Sequence, residues 1–413
     1  MKAETKKIRI VILGAGFAGV NTFRYLHKKF HSNKQIEIII VNPKNYFLFT
    51  PLLHEVATGG LPPDTIMQPI RSFITCCQTD FYQATAQKIH SQEQLIQTSL
   101  GNISYDYLVI ALGAKTNFFN ITNARKHCFT LKTMEDAIKL KNHVIECFEH
   151  ARHEADAKKQ KQLLQFAVIG GGPTGVEIAS ELAEFIHKTF RRFYPLELMQ
   201  HAQVHLIERS DKLVSSFAPT IQRESLKQLQ KAGVNMHLQQ SVESIDENGI
   251  TLESGKTLHT ATPIFVAGIK AAEIEFDIKP AKSFDGKITV NASLQITSSP
   301  EIFVLGDMAD HPENVPALAQ AAVQQASATA INIQRLINNK PVKAFHYKSA
   351  GMLLSLGRWK AAAQIGSFSL TGRFAWWMWR TIYFAKLISW KQRLRATVEW
   401  TIRIFTHRDI SEL

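Results

Sequence analysis

Cysteine is scarce. The chain of 413 residues holds four, Cys76, Cys77, Cys128 and Cys147. They form no CxxC pair, which excludes a disulfide-built scaffold and a cysteine-rich zinc site and fits a reducing compartment. Nor do they have the spacing of a redox-active CxxxxC after the first expected ribose strand, which argues against a disulfide reductase. No HExxH occurs among the sixteen histidines. His201 and His205 do not share a helix face, because His205 falls in an expected strand. Both read as structural, and no metal site is expected. Long apolar runs are missing too. The longest stretch without a formal charge, Asn314 to Gln334, is interrupted by Gln, Asn, Ser and Thr, so no transmembrane helix is expected. Acids are the minority charge, 35 Asp+Glu against 48 Lys+Arg, for a formal net charge of +13. That balance suits an anionic partner: nucleotide phosphate, nucleic acid or an acidic membrane surface. No helix-turn-helix, RRM or zinc pattern accompanies the charge, so nucleic acid is not expected.

What is present is enough apolar material, 45%, for large cores, and length for two to three domains. Short β-branched runs recur: Ile8–Leu13, Ile36–Val41, Tyr107–Leu112, Phe166–Ile169, Val204–Ile207, Ile264–Ala267 and Ile302–Leu305. Continuous apolar runs of this length fit buried parallel strands. Amphipathic stretches such as Thr174 to His187 lie between them, so the pattern predicts an α/β chain. It starts twice, at Gly14 and again at Gly170, as an internal duplication of one nucleotide-binding fold. Lys6-Lys7 before Ile8–Val20 imitate a secretory signal, but the glycine spacing makes this a strand entering a turn. Arg152 to Gln165 reads as a solvated helix or linker. From Arg373 to Arg408 there are eight Lys/Arg, one acid and five of the six Trp. Aromatic and basic residues alternating there predict amphipathic helices lying in an anionic membrane interface; a dimer face or a packing helix is the rival reading.

Gly14, Gly16 and Gly19 form a GxGxxG turn directly after a strand. The first permits the turn, the second lets backbone approach a pyrophosphate, and the third lets helix pack against strand, with phosphates at the positive helix end. Asn42 ends the next strand, where an acid is the usual ribose contact. This weakens a claim for NAD at the first site more than one for FAD. The second turn carries Gly170, Gly172, Thr174 and Gly175. Its following strand ends in Glu208, whose carboxylate accepts from a ribose 2′-hydroxyl and repels a 2′-phosphate. This site is expected to prefer NADH to NADPH. The gap to Glu208 is long, so the intervening helix must be extended through Arg191-Arg192. A later strand ends in Gly306-Asp307, placing a carboxylate where it can hold a ribityl hydroxyl of a flavin.

The order of these motifs resembles the two-dinucleotide-fold flavoprotein reductases. Asn45–Leu53 (NYFLFTPLL), Gly170–Glu177 (GGGPTGVE) and Ala319–Gln325 (AQAAVQQ) are similar to the type II NADH dehydrogenases, the single-subunit, non-proton-pumping NADH:quinone oxidoreductases. The resemblance implies two Rossmann-like domains, one for FAD and one for NADH, plus a C-terminal amphipathic helical region that anchors to the membrane. The expected boundaries are 1–118 and 276–338 for the FAD domain, 119–164 for a linker helix region, 165–275 for the NADH domain and 339–413 for membrane association. It implies that Thr50, Gly113, Ala319 and Gly268 join the cofactor contacts. It also implies that Gln320 and Gln324 line a flavin–quinone region, and that Glu177 sits near the nicotinamide. For Glu177, a protonatable gate and a contact to the nicotinamide amide both stay open. The implied setting is a peripheral protein on the cytoplasmic face of a bacterial inner membrane, with a homodimer through one face of the tail left open. The alternatives are a soluble reductase of a small redox protein and a non-catalytic redox-sensing flavoprotein.

Overall fold

Five of the six residues of Ile8–Leu13 are apolar, and the four from Ile10 onward are fully buried. A strand with no solvated face belongs inside a parallel sheet covered on both sides. In the computed structural model, which describes residues 7–74 and 79–413 (403 and 404 by backbone only), that expectation is met. The elements used below are, in chain order, β1 (Ile8–Leu13), α1 (Phe17–Phe30), β2 (Ile36–Val41), β3 (Thr79–Tyr82), β4 (Tyr107–Ile110), α2 (Met134–His153), β5 (Gln165–Ile169), α3 (Pro173–Glu184), β6 (Gln203–Glu208), β7 (Val234–Leu238), β8 (Thr262–Phe265), β9 (Ser299–Val304), α4 (Ala319–Ile337), α5 (Arg373–Lys386) and α6 (Trp390–Phe405).

The chain divides into two units. The first comprises Met1–Phe47, Gln68–Lys115 and Ile269–Ser349. Its central sheet runs β3-β2-β1-β4-β9, all parallel, with the short strand Gln295–Ile296 antiparallel on β9. The order reverses between β1 and β4, and that reversal opens a crevice at the strand ends. α1 and α4 cover one face, meeting through small residues: Ala18 and Ala322 both lie close to Gly306.

The second unit comprises Leu48–Met67, Thr116–Gly268 and Ala350–Leu413. Its parallel sheet repeats the order, β7-β6-β5-β8. Ala167, Ile169, Ile207 and Phe265 from this sheet pack with Ile245, Ile250 and Leu252 of an antiparallel hairpin. α2 starts on a reciprocal cap: Thr133 Oγ1 accepts from Asp136 N at 3.1 Å, and Asp136 Oδ2 accepts from Thr133 N at 3.1 Å. Such a cap stabilises a helix by about 1 kcal/mol. Thus residues 48–67 cluster with the second nucleotide fold rather than the first, and residues 350–413 belong to that unit as well. The solvated segment after α2 forms the helix Ala157–Leu163.

The extension before β6 is a π-helical turn, Phe185–Thr189, followed by a 3-10 turn, Phe190–Arg192. β4 and β8 each end earlier than the apolar run suggests. Ala111 and Ala267 leave the sheet to crowd Gly14 and Gly170. The C-terminal part is a three-stranded antiparallel sheet, Met352–Ser355, Ala361–Ile365 and Phe368–Gly372, then α5 and α6. Among the described residues no helix is long and apolar enough to cross a membrane.

Candidate functional site

The two glycine turns are built alike. Gly14 follows β1 with φ +98°, donates from N to Val41 O at 2.8 Å, and lies against the Ala111 carbonyl, where a Cβ would collide. Gly170 follows β5 with φ +114°, donates to Ile207 O at 2.9 Å, and lies against Ala267. A Cβ on Gly19 would overlap the Gly14 carbonyl, and one on Gly175 the Gly170 carbonyl. Any larger residue therefore pushes α1 or α3 off its strand. Gly16 and Gly172 cap these helices, and neither has an atom within 4 Å of where its Cβ would stand. Each helix thus offers an open, positively polarised N-terminus, a cradle that fits a pyrophosphate.

The strand-end residues repeat the symmetry with different chemistry. Asn42 Oδ1 accepts from Ala15 N at 3.0 Å, and its Nδ2 donates to Lys44 O at 2.7 Å. Glu208 Oε2 accepts from Gly171 N at 2.6 Å, and its Oε1 from Ser210 N at 2.8 Å. Each side chain ties the second strand to the amide just after the first glycine. An amide there is neutral, whereas a carboxylate opposes a 2′-phosphate. The residues present fit FAD on the first turn and NADH on the second.

Across the first crevice, Gly306 (φ +68°) and Asp307 form a 3-10 turn after β9. Gly306 N donates to Gln325 Oε1 at 2.6 Å, and Gln325 is buried on α4. Gly113 follows β4 with φ +72° and open space beside it. Ala319 and Gln320 open α4. Gln324 is engaged at both ends of its amide: Nε2 donates to Lys348 O at 2.7 Å and Oε1 accepts from Lys348 N at 3.1 Å. In the second unit, Thr50 is exposed at the start of a short 3-10 turn, Thr174 lies in the first turn of α3, and the Phe119 ring stands where a Gly268 Cβ would be.

Glu177 lies in α3 and is buried. Its Oε1 accepts from Ser355 N at 3.1 Å, and its Oε2 is 3.6 Å from His54 Nδ1. Burial pushes its pKa up to about 8. The Ser355 amide opposes that rise, and the Glu181 and Glu55 carboxyls add to it. Burial and the Arg408 charge hold His54 down at about 3, so its imidazole is neutral. Glu55 is pushed up chiefly by burial against the pull of Arg380, and its Oε2 accepts from Trp400 Nε1 at 3.0 Å. Arg408 donates to Glu181, lies 3.7 Å from Glu184, and donates to Thr58 Oγ1 at 2.7 Å. Its chain neighbour Asp409 pairs with the buried Lys141 at 2.7 Å, so residues 408–409 are fixed by ion pairs on both side chains. The Arg380 guanidinium sits between two indoles, 4.1 Å from the Trp376 ring and 4.5 Å from the Trp400 ring.

Two family models match. The pyridine nucleotide-disulphide oxidoreductase model covers residues 8–326, and the NDH2 C-terminal domain model covers residues 350–409. The chain is a type II NADH dehydrogenase of the pyridine nucleotide-disulphide oxidoreductase family. It is 28% identical to "Type II NADH:quinone oxidoreductase Ndh" of Mycobacterium tuberculosis over 98% of this chain and 89% of that protein. It is 26% identical to "External NADH-ubiquinone oxidoreductase 2, mitochondrial" of Saccharomyces cerevisiae over 98% and 82%. A solved structure of NDH2 from Plasmodium falciparum in complex with NADH shares the fold, with TM-score 0.91 at 22% identity over 98% of this chain and 100% of that one.

In this dehydrogenase the described cysteines are ill suited to redox work. Burial pushes the thiols of Cys128 and Cys147 up to about 12, so neither is a thiolate near neutral pH. Cys76 and Cys77 lie outside the described residues. His205 is buried between Gln165 and His237, 2.9 and 3.0 Å away, a structural role, and His201 ends a neighbouring turn. No cluster of metal ligands occurs among the described residues. Sequence reasoning passed over His54, Glu55, Glu181 and Arg408. One signal was available: Glu177, Glu181 and Glu184 recur at helical spacing and so share one face of α3.

Proposed function

We propose that this chain oxidises NADH and delivers the electrons, by way of FAD, to a quinone held in membrane lipid, without pumping protons. The observation that carries this reading is the doubled strand–glycine turn–helix, with an amide at the first ribose end and a carboxylate at the second. Bound FAD supplies what no side chain can: it takes hydride as a unit and releases electrons to a quinone. The chain's own residues do the rest. α1 and α3 receive the pyrophosphates at their open N-termini, and Asp307 holds the flavin's ribityl chain. Glu208 selects NADH over NADPH by charge.

Quinone reduction also needs protons. Glu177 keeps its carboxyl proton at neutral pH beside a neutral His54, and so holds a proton in a dry setting. Gln320 acts as a fixed donor to a quinone carbonyl, while Gln324 secures the segment around Lys348.

Attachment to the membrane rests on α5 and α6. Trp390, Leu394, Val398, Ile402 and Phe405 recur along one face of α6 and are all exposed, as are Phe374 and Trp377 of α5. Trp376, Trp379, Ala396 and Trp400 face inward. Such an uncovered apolar stripe beside basic residues suits the headgroup boundary of an anionic bilayer. That stripe favours the membrane enzyme over a soluble reductase. We place the chain at the cytoplasmic face of a bacterial inner membrane, with a homodimer sharing part of the tail. The test is anaerobic titration of the bound flavin. NADH bleaches it, a quinone restores it, and NADPH bleaches it far more weakly. A flavin that NADH leaves oxidised ends this reading.

A further inference from the structure

The second unit holds a cavity of about 330 Å³ that none of the nucleotide-turn residues lines. It opens between the extension after α3, the 355–359 loop, α5 and α6. Five cations line it, Lys188, Arg192, Arg358, Arg380 and Arg408, against three acids, Glu55, Glu181 and Glu184. The imbalance is larger than the count suggests, because Glu55 is driven towards its neutral form by burial. Arg408 already holds Glu181 and Glu184. Arg192 Nη1 meets the imidazole Nε2 of His407 at 2.5 Å. Among the described residues, the buried Arg380 Nε has no hydrogen-bond partner.

The walls are indole. Trp359, Trp376, Trp379 and Trp400 line the cavity. Trp359 packs tilted against Trp376 at 4.4 Å, and Trp376 meets Trp377 edge-on at 5.1 Å. Trp377 is 54% exposed, so this run of rings leads from the cavity to the uncovered face of α5. A ligand that matches both ends carries negative charge on a compact polar head and an apolar chain behind it. Guanidinium groups recognise phosphate oxygens by paired donors, and indole rings settle at the lipid headgroup level.

We propose that this cavity binds the phosphate headgroup of an anionic phospholipid, with its acyl chains lying along the exposed aromatic face of α5 and α6. The proposal rests on the membrane reading above but adds a specific site, distinct from general attraction between a basic tail and an acidic surface.

The test uses the full-length, flavin-loaded protein and dihexanoyl phosphatidylglycerol below its micelle concentration, read by isothermal titration. Dihexanoyl phosphatidylcholine and inorganic phosphate serve as comparison arms. The double variant R192Q/R358Q removes two lining charges. R373Q/K391Q removes two exposed charges of the same region that do not line the cavity. Flavin content and melting temperature establish that each variant is folded. R192Q alone, at an exposed position, replaces the double variant if that one fails.

The expected result is saturable binding of one anionic lipid per chain, at least tenfold weaker in R192Q/R358Q and unchanged in R373Q/K391Q. Phosphatidylcholine and phosphate are each expected to bind at least tenfold more weakly. Equal loss in both double variants, or binding that never saturates, overturns the site in favour of diffuse surface charge. Phosphate binding as tightly as the lipid overturns the lipid and leaves a free anion. Flotation on phosphatidylcholine vesicles separates the two readings. A chain that floats but binds no soluble anionic lipid keeps its membrane role and loses this site. One that binds the lipid but floats on no vesicle, neutral or anionic, keeps the site and loses the membrane role.

Discussion

Replacing Glu177 by glutamine should flatten part of the pH dependence of stability. The folded carboxyl titrates at about 8, against 4.5 for an ordinary glutamate. A raised acid pKa means that the unfolded chain gives up this proton first. Between those two values the folded state binds more protons, so stability falls as pH rises and levels off above pH 8. At about 1.4 kcal/mol per pKa unit, the loss between pH 5 and pH 9 is about 4 kcal/mol. For a unit of this size that corresponds to about 10 °C in melting temperature. The amide introduced by E177Q retains an oxygen for Ser355 N and cannot ionise. Glu55 is also raised, chiefly by burial, and is present in both proteins, so their difference reports Glu177 together with its repulsion of Glu55. The assay is thermal unfolding of flavin-loaded wild type and E177Q from pH 5 to pH 9. Their melting temperatures should diverge upward through neutral pH, with E177Q the more stable at the alkaline end. Two curves that stay parallel within about 2 °C would refute the buried, protonated carboxyl.

The two glycine turns should fail separately. Gly19→Val should yield protein purified without flavin, and Gly175→Val should keep flavin but raise the KM for NADH at least tenfold, because each Cβ strikes the carbonyl of the first glycine in its turn. Glu208→Gln removes the charge opposing a 2′-phosphate, so the ratio of kcat/KM for NADH over NADPH should fall by about tenfold, a change of about 1.4 kcal/mol. Arg408→Met leaves the buried Glu181 without its cation, and a broken buried pair costs about 3–5 kcal/mol, measurable as a lower melting temperature. The triple variant W390S/L394S/I402S should keep NADH oxidation with a water-soluble quinone and lose flotation on anionic vesicles, since all three side chains are exposed.

The doubled nucleotide fold was legible because it rests on local rules. A buried parallel strand must be apolar throughout, and a turn that crowds a carbonyl must be glycine. Asn42 and Glu208 were legible as positions, because they end strands at a fixed place after the turn. Their bonds to Ala15 N and Gly171 N were not, since nothing in the order of residues says which amide a side chain finds. The acid cluster around Glu177 was legible only on α3. Its other half comes from His54 and Glu55 on one side and Trp400 and Arg408 on the other, joined only by the fold. The grouping of residues 48–67 with the second unit escaped for the same reason. Their sequence continues smoothly from the first fold, and only packing against α2 and α3 reassigns them.

β9 completes the first sheet beside β4, yet it is encoded after the whole of the second nucleotide fold. On the ribosome, β4 therefore emerges long before its neighbour and offers the nascent chain a bare row of peptide groups, Tyr107 to Ile110, flanked by apolar side chains. Such a row invites pairing with strangers. The interleaved order thus leaves one edge of the first sheet uncovered until the second fold has been synthesised.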